Sequence, residues 1–285
     1  MRALQELDAG AFAGVMATGI LGVGARLERI APLADVLLAC ACLAWIALAL
    51  VLRGRSIRSF AIVAGTAVIG ADFLLAGHGR IALALWSLAA ALWVAVTVTV
   101  RTEAVTALLS VVATESLAVL AATLDGDRVA SLRWPALALW GLGLALYPFV
   151  AARSVRSALR EGEFSPTLWI VMGALAISTL AAAELLRDRH ALGADVGLAT
   201  WAAASAVVPV LVAIELRVRC WRYEAARWSF VFPLGMYGVA SRVLGTAEGL
   251  GGLRSVGTVF FAISLTAWAL TAGGLARRGL HEVRR

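Results

Sequence analysis

The sequence predicts an all-α polytopic membrane protein, and two observations lead to that prediction. Hydrophobic residues make up 61% of the 285 residues, and the mean hydropathy of +0.89 lies far above that of soluble domains. The apolar residues also collect in ten stretches, each close to the roughly 20 residues that a helix needs to cross a bilayer core of about 30 Å. The connections are short, and the strand alternation of a membrane barrel is absent. We therefore predict one transmembrane domain over residues 1–285, with ten transmembrane helices.

The ten stretches are separated by connections rich in arginine, acidic residues and glycine. The first stretch is crowded with glycine, which suits close packing between helices. The ninth contains a proline, Pro233, in the segment WSFVFPLGMYGVAS. In chain order, the predicted helices cover residues 10–26, 32–52, 59–77, 81–100, 104–124, 133–152, 166–186, 195–216, 226–245 and 252–275.

A seven-residue pattern recurs in the first, third and fifth helices. VMATGIL begins at Val15, VAGTAVI at Val63 and VVATESL at Val111, so that consecutive copies start 48 residues apart. VMGALAI from Val171 keeps part of the pattern. The spacing equals one helical hairpin, and internal repeats of this kind are common in transporters.

The odd and even helices differ in composition. The odd helices carry most of the hydroxyl side chains and the intramembrane acids Asp72, Glu115 and Glu184, whereas the even helices are rich in Leu, Ala, Val and Trp. Small and polar residues belong where helices approach closely or line water, and bulky apolar residues belong towards lipid. This favours five helical hairpins around a central pore, with odd helices inside and even helices outside. An ordinary bundle, in which the polar residues only join helices, is the alternative.

The basic residues predict the orientation. All 25 are arginines, and most of them lie on the side of the membrane that both termini share. The positive-inside rule then predicts a multi-pass protein of the cell membrane with cytoplasmic N- and C-termini, and the net charge of +7 needs no nucleic-acid partner. The N-terminal dipole ends of the odd helices gather at the same mouth and attract anions. The loop arginines beside this mouth are Arg153, Arg156, Arg160, Arg217, Arg219, Arg222 and Arg227.

The sequence offers no catalytic or metal-binding set. Cys40 and Cys42 share one helix, and His78, His190 and His281 are far apart along the chain. A membrane-embedded enzyme needs a convergent nucleophile, base or metal, which these residues do not supply. We therefore expect no enzymatic activity, no metal and no cofactor.

Four segments resemble a known family of membrane proteins. They are FAGVMATGIL (12–21), VVATESLAVLAATL (111–124), SPTLWIVMGALAISTLA (165–181) and WSFVFPLGMYGVAS (228–241). On these segments the chain resembles the tellurite-resistance/dicarboxylate transporter family, which includes bacterial tellurite-resistance proteins, fungal malate permeases and the slow anion channels of plant guard cells. The resemblance implies five hairpins around a pore, a homotrimer, and small anions as substrates. These anions are C4-dicarboxylates such as malate, or inorganic anions including tellurite, chloride and nitrate.

The resemblance also implies that an aromatic residue at a bend of the ninth helix closes the pore. Phe232, directly before Pro233, matches that position. Pro233 has no N–H for the carbonyl of Ser229, which bends a helix and is tolerated in a membrane where neighbours or a water-filled cavity satisfy the freed carbonyl. Phe230 lies about 200° away around the helix, so only one of the two rings faces the axis. A core ring that fills the space at the bend is the alternative for Phe232.

Polar side chains of the odd helices are further candidates for contact with a passing anion. Near the outer helix ends, Asp72 and Arg242 form either a structural ion pair, which we favour, or part of a vestibule. Hydroxyl groups can donate to an anion within the pore, although hydrogen bonds between helices are the alternative for each of them. These hydroxyls belong to Thr18, Thr66, Thr114, Ser178, Thr179 and Ser241.

Glu115 lies in the middle of the fifth helix, where a carboxylate is costly in lipid and must face protein or water. The family that the chain resembles often carries an amide here, so Glu115 departs from its pattern. An ionised Glu115 on the pore axis would repel anions. Because burial favours the neutral acid, Glu115 either donates a hydrogen bond to the anion, which links permeation to pH, or bonds to a neighbouring helix.

These features together predict transport of small anions across the lipid bilayer through a central pore that an aromatic residue gates. Two other functions are compatible with the same residues. One is a proton- or cation-conducting bundle that uses Asp72, Glu115 and Glu184, and the other is a structural or sensory membrane protein that transports nothing.

Overall fold

The computed structural model describes residues 2–51, 59–99, 107–162, 165–187, 190–218 and 227–283. Within these ranges the chain forms ten α-helices and one short 3₁₀ helix, Pro166–Leu168, and contains no strand. The α-helices are α1 (Arg2–Leu27), α2 (Ala31–Val51), α3 (Ala61–Leu75), α4 (Gly79–Thr99), α5 (Leu108–Gly126), α6 (Arg133–Glu161), α7 (Trp169–Leu185), α8 (His190–Val218), α9 (Trp228–Ala247) and α10 (Gly251–Val283).

Each predicted stretch corresponds to one helix. Helices α1, α6, α8 and α10 are longer than predicted. Helix α1 begins at Arg2 rather than at residue 10, and α6 continues past the apolar residues into the arginine-containing segment 153–160. The predicted ends at 52, 100, 104–106 and 226 lie outside the described residues. Within the described residues, seven helices are long and apolar enough to cross a membrane, and all five even helices are among them. The chain is therefore a polytopic membrane protein.

The same turn ends α1, α3 and α5. The second residue past each helix has a left-handed backbone, and the following N–H donates to a carbonyl five residues back, which is a Schellman motif. This motif satisfies the last carbonyls of the helix and reverses the chain. The left-handed residues are Arg29 (φ 62°), Gly77 (φ 85°) and Arg128 (φ 56°). The hydrogen bonds run from Ile30 to Ala25 (2.8 Å), from His78 to Phe73 (2.9 Å) and from Val129 to Leu124 (2.9 Å).

The helices pack in a closed order. Each odd helix packs against the even helix that follows it, from α1 with α2 to α9 with α10. The odd helices also contact one another in the order α1, α3, α5, α7, α9 and back to α1. Glycine allows this close approach, since a Cβ at Gly70 would lie 2.6 Å from Leu120, and one at Gly235 would lie 2.9 Å from Ile20.

Burial separates the two sets of helices. Almost every described side chain of α3, α5, α7 and α9 is buried. The even helices instead expose large apolar side chains, such as Val98 (80% exposed), Trp134 (79%) and Phe149 (76%). Such a large exposed apolar surface is typical of a protein surface in contact with lipid tails, because lipid tails form no hydrogen bonds.

A set of hydrogen bonds, here called the cross-pair bonds, joins each even helix to the odd helix of the next pair. At four of the five junctions an indole Nε1–H donates to a hydroxyl oxygen, and the N–O distance is 2.9 Å in each case. These bonds run from Trp45 to Thr66, from Trp93 to Thr114, from Trp201 to Ser241 and from Trp268 to Thr18. The last one closes the order by joining α10 to α1.

The fifth junction, between α6 and α7, uses different groups. The repeat has alanine here, Ala174, where the other copies carry a hydroxyl. Tyr147 on α6 instead donates its phenolic O–H to the carbonyl of Val171 over 3.2 Å. The repeat therefore specifies the position of a junction as well as the length of a hairpin. Its fifth copy, GVASRVL from Gly238, carries Ser241 at the same fourth position.

We predict that Trp93→Phe lowers the free energy of unfolding, because it removes the Nε1 donor and keeps most of the ring. Hydrogen bonds between membrane helices average about 0.6 kcal/mol and reach about 1.7 kcal/mol. Thermal unfolding in detergent measures the loss, and a double-mutant cycle with Thr114→Val isolates the bond. Trp134→Phe is the control, since that ring is 79% exposed. Equal losses for the two tryptophans would contradict a role for the hydrogen bond.

Candidate functional site

A small cavity of about 30 Å³ lies at the centre of the molecule, where the five odd helices meet. A space of roughly 10–15 Å³ holds one water molecule, so the cavity has room for water or a small ion. Its walls are apolar except at Ser116. The lining residues are Ile20 and Val23 of α1, Ala67, Val68 and Ala71 of α3, Ser116, Val119 and Leu120 of α5, Ile177 and Leu180 of α7, and Met236 of α9.

Phe232 lies one helical turn before the cavity residue Met236 on α9. It precedes the cavity residue Met236 by four positions, so the two side chains share one face of the helix, and Phe232 is 2% exposed. Pro233 packs on α7, where a Cβ at Gly173 would lie 3.0 Å from the proline ring. Phe230 lies on another face and packs edge to face on Trp169, with ring centroids 4.7 Å apart. Of the two rings, Phe232 is the one that shares a helix face with the cavity residue Met236.

The six hydroxyl groups proposed for anion contact lie between helices rather than along the cavity. Four of them accept the cross-pair bonds from tryptophan and also donate to the backbone carbonyl four residues earlier. These four are Thr18, Thr66, Thr114 and Ser241, with bonds of 2.7–2.8 Å to the carbonyls. Thr179 contacts Thr200 of α8 at 2.9 Å, and Ser178 donates to Glu115. This is the interhelical alternative that the sequence left open.

Glu115 lies in the interface between α5, α6 and α7. Its carboxylate accepts a hydrogen bond from Ser178 through Oε1, and its Oε2 is buried without a partner. Gly143 of α6 makes room for it, because a Cβ at that position would overlap Glu115 Cγ. Tyr147 of α6 is the titratable group that interacts with it electrostatically. Glu115 is fully buried but does not line the cavity, which its neighbour Ser116 does.

The predicted ion pair between Asp72 and Arg242 is wrong. Asp72 pairs with Arg26 of α1, and Arg26 also contacts Asp35 at 3.0 Å. Arg242 pairs with Glu28 at 2.8 Å and donates to the carbonyl of Leu27. The physical reason is helix order, since α3 lies beside α1, whereas Arg242 of α9 reaches the far side of α1 and contacts Thr258 of α10.

The arginines predicted at the mouth fall into two groups. Arg153, Arg156, Arg160 and Arg217 are exposed, and Arg227 pairs with Glu215 at 3.1 Å. Arg219 and Arg222 lie outside the described residues.

Sequence reasoning missed Ser116 and Gly143. The repeat contained a signal for Ser116, which is the sixth residue of the third copy. The sixth residues of the first and second copies, Ile20 and Val68, also line the cavity. Gly143 gave no such signal, since a glycine in an outer helix does not indicate which side chain packs against it.

We predict that Gly143→Ala destabilises the protein, because the new methyl group overlaps the Glu115 side chain. Gly141→Ala is the matched control on the same helix, where a Cβ meets nothing within 4 Å and alanine favours the helix by roughly 1 kcal/mol. Thermal unfolding in detergent compares the two. Adding Glu115→Ala should restore the stability lost in Gly143→Ala. A loss that persists in this double variant would contradict the packing of Glu115 on Gly143.

Two kinds of comparison with known proteins identify similar sequences. Two uncharacterized membrane proteins of Mycobacterium tuberculosis, from strains CDC 1551 / Oshkosh and H37Rv, are 36% identical to it over 144 residues, which is 46% of this chain and 73% of each relative. The sequence family described as voltage-dependent anion channel, SLAC1, matches residues 6–276. This match confirms the family resemblance of the four segments. The chain belongs to the SLAC1 family of voltage-dependent anion channels.

Proposed function

We propose that the protein transports small anions through the centre of its five odd helices, and that Phe232 gates this path. The observation that carries the proposal is the central cavity, because every odd helix contributes to its wall. A path at the helix-bundle centre is where a polytopic protein can shield an ion from lipid. Membership of an anion-channel family supports the same function and favours transport over catalysis.

Phe232 suits a gate because of its position. It precedes Met236 by one helical turn and is buried among the odd helices, so its ring closes the path on the side where those helices begin. Pro233 follows it directly and contacts α7 at Gly173, which fixes the backbone that carries the ring. Phe230 packs against Trp169 on another face of α9 and therefore does not suit a gate.

Charge favours anions over cations. The five odd helices point their N-terminal dipole ends to one mouth, and exposed arginines such as Arg153, Arg156 and Arg160 lie on that side. Two of the acids proposed for a cation path are paired with arginines. Asp72 pairs with Arg26, and Glu184 pairs with Arg187 at 2.7 Å. We propose that this mouth is cytoplasmic, that the protein acts in the cell membrane, and that it forms a homotrimer as the family resemblance implies.

We predict that the purified protein in liposomes passes chloride or nitrate and excludes sodium and potassium. The reversal potential in a salt gradient should follow the anion, because dipole ends and arginines attract anions to the entrance. Equal anion and cation permeability would contradict an anion pore, and the absence of any flux would favour a structural or sensory role.

We predict that Phe232→Ala raises anion flux severalfold, because it removes an apolar obstruction from the path. Phe230→Ala is the matched control two residues away, and its loss of contact with Trp169 should lower the thermal midpoint more than it changes flux. Both variants are measured by flux per reconstituted protein and by unfolding in detergent. If flux rises in Phe230→Ala instead, the other ring faces the path.

We predict that anion flux rises as pH falls and that Glu115→Gln is active without this dependence. Glu115 is adjacent in sequence to the cavity residue Ser116. An ionised Glu115 therefore adds a negative charge near the proposed path, whereas the protonated acid and the glutamine amide are neutral. In the part of the chain that the structure describes, no cation pairs with Glu115, and its hydrogen-bond partner is Ser178.

The control for this prediction is Glu184→Gln, which removes an acid that pairs with Arg187 and should leave the pH response intact. Flux measured between about pH 5 and 8 distinguishes the variants, since this range covers the titration of a buried carboxyl group. A full pH response in Glu115→Gln would assign the effect to another group.

A further inference from the structure

Among the described residues, Ser116 is the one polar side chain in the wall of the central cavity, and its hydroxyl group has no hydrogen-bond partner. The residue is 4% exposed, and its Oγ is buried without a hydrogen-bond partner. Buried hydroxyl groups in proteins are nearly always bonded, because an unmade hydrogen bond costs about 1–3 kcal/mol. An unpartnered hydroxyl at the edge of a cavity therefore destabilises the fold, which suggests that it has a functional role.

Other buried hydroxyls of the odd helices show what Ser116 does not do. Thr18, Thr66, Thr114 and Ser241 each donate to the carbonyl four residues earlier and accept from an outer helix. Ser116 makes neither kind of contact. Its position in the repeat is occupied by Ile20 and Val68 in the first two copies, so an apolar residue fits this wall. The serine thus adds a donor where packing requires none.

We infer that Ser116 is the group that coordinates the permeating anion. The inference rests on the proposed function and specifies its binding site. A hydroxyl O–H donates to an anion, and a hydrogen bond to a charged partner is stronger than one between neutral groups. The anion satisfies the hydroxyl that the protein leaves unpaired.

The cavity offers an anion one hydrogen-bond donor. The remaining wall formed by the described residues is apolar and has no Arg side chain, so Ser116 is the group there that can replace part of the hydration of an anion.

The test compares wild type with Ser116→Ala and with Ser110→Ala in liposomes. Ser110 lies on the same helix, and its hydroxyl donates to the carbonyl of Ala107 at 2.6 Å, away from the cavity. Ser116→Ala should raise the half-saturating chloride concentration about tenfold, the loss expected for one charged hydrogen bond. It should also shift selectivity from chloride towards more weakly hydrated anions such as thiocyanate. Ser110→Ala should change neither quantity.

Stability separates this role from a structural one. Removing an unsatisfied hydroxyl should leave the thermal midpoint of Ser116→Ala unchanged or higher, whereas a lost packing or bonding role would lower it. Unchanged half-saturation and selectivity in Ser116→Ala would overturn the inference while wild-type anion flux still upholds the proposed function. Absence of any wild-type anion flux would overturn both proposals.

Discussion

Every polar group inside a membrane protein must find a partner within the protein, because lipid offers none, and the cross-pair bonds follow from this constraint. A tryptophan on an outer helix carries an N–H that lipid cannot satisfy. A threonine on an inner helix donates its hydroxyl proton to a backbone carbonyl, and its oxygen can still accept a hydrogen bond. Joining them satisfies both and fixes how neighbouring helix pairs contact one another. The closed order of the odd helices depends on these junctions, and the central cavity depends on that order.

The third pair and its contact with α7 depart from the repeat in several ways. Tyr147 replaces a tryptophan at the junction, Glu115 occupies the interface, and Ser116 faces the cavity. Gly143 creates the space that Glu115 requires. In a structure built from repeated units, chemistry specific to one copy is concentrated at one place, and here that place contains the buried carboxyl group and the unpaired hydroxyl.

Hydropathy was sufficient to predict ten helices, because the length of an apolar stretch follows directly from the thickness of a bilayer. The repeat correctly marked Thr18, Thr66 and Thr114 as equivalent, but the sequence left open whether they face the axis or a neighbouring helix. That direction depends on how each helix is rotated in the assembly, which is a tertiary property. The partner of Asp72 was missed for a similar reason, since two arginines near the outer helix ends were equally available until the neighbours of α3 were known.

The bond between Trp268 and Thr18 spans 250 residues of sequence, yet it has the same geometry as bonds that span 21. A linear array of repeats exposes an unpaired face at each end and needs a special capping repeat to cover it. Here the last repeat covers the first, so no copy has to be altered to serve as a cap. The same closure makes assembly cooperative, because the loop-closure entropy of the longest contact is offset only when all the helix pairs are in place.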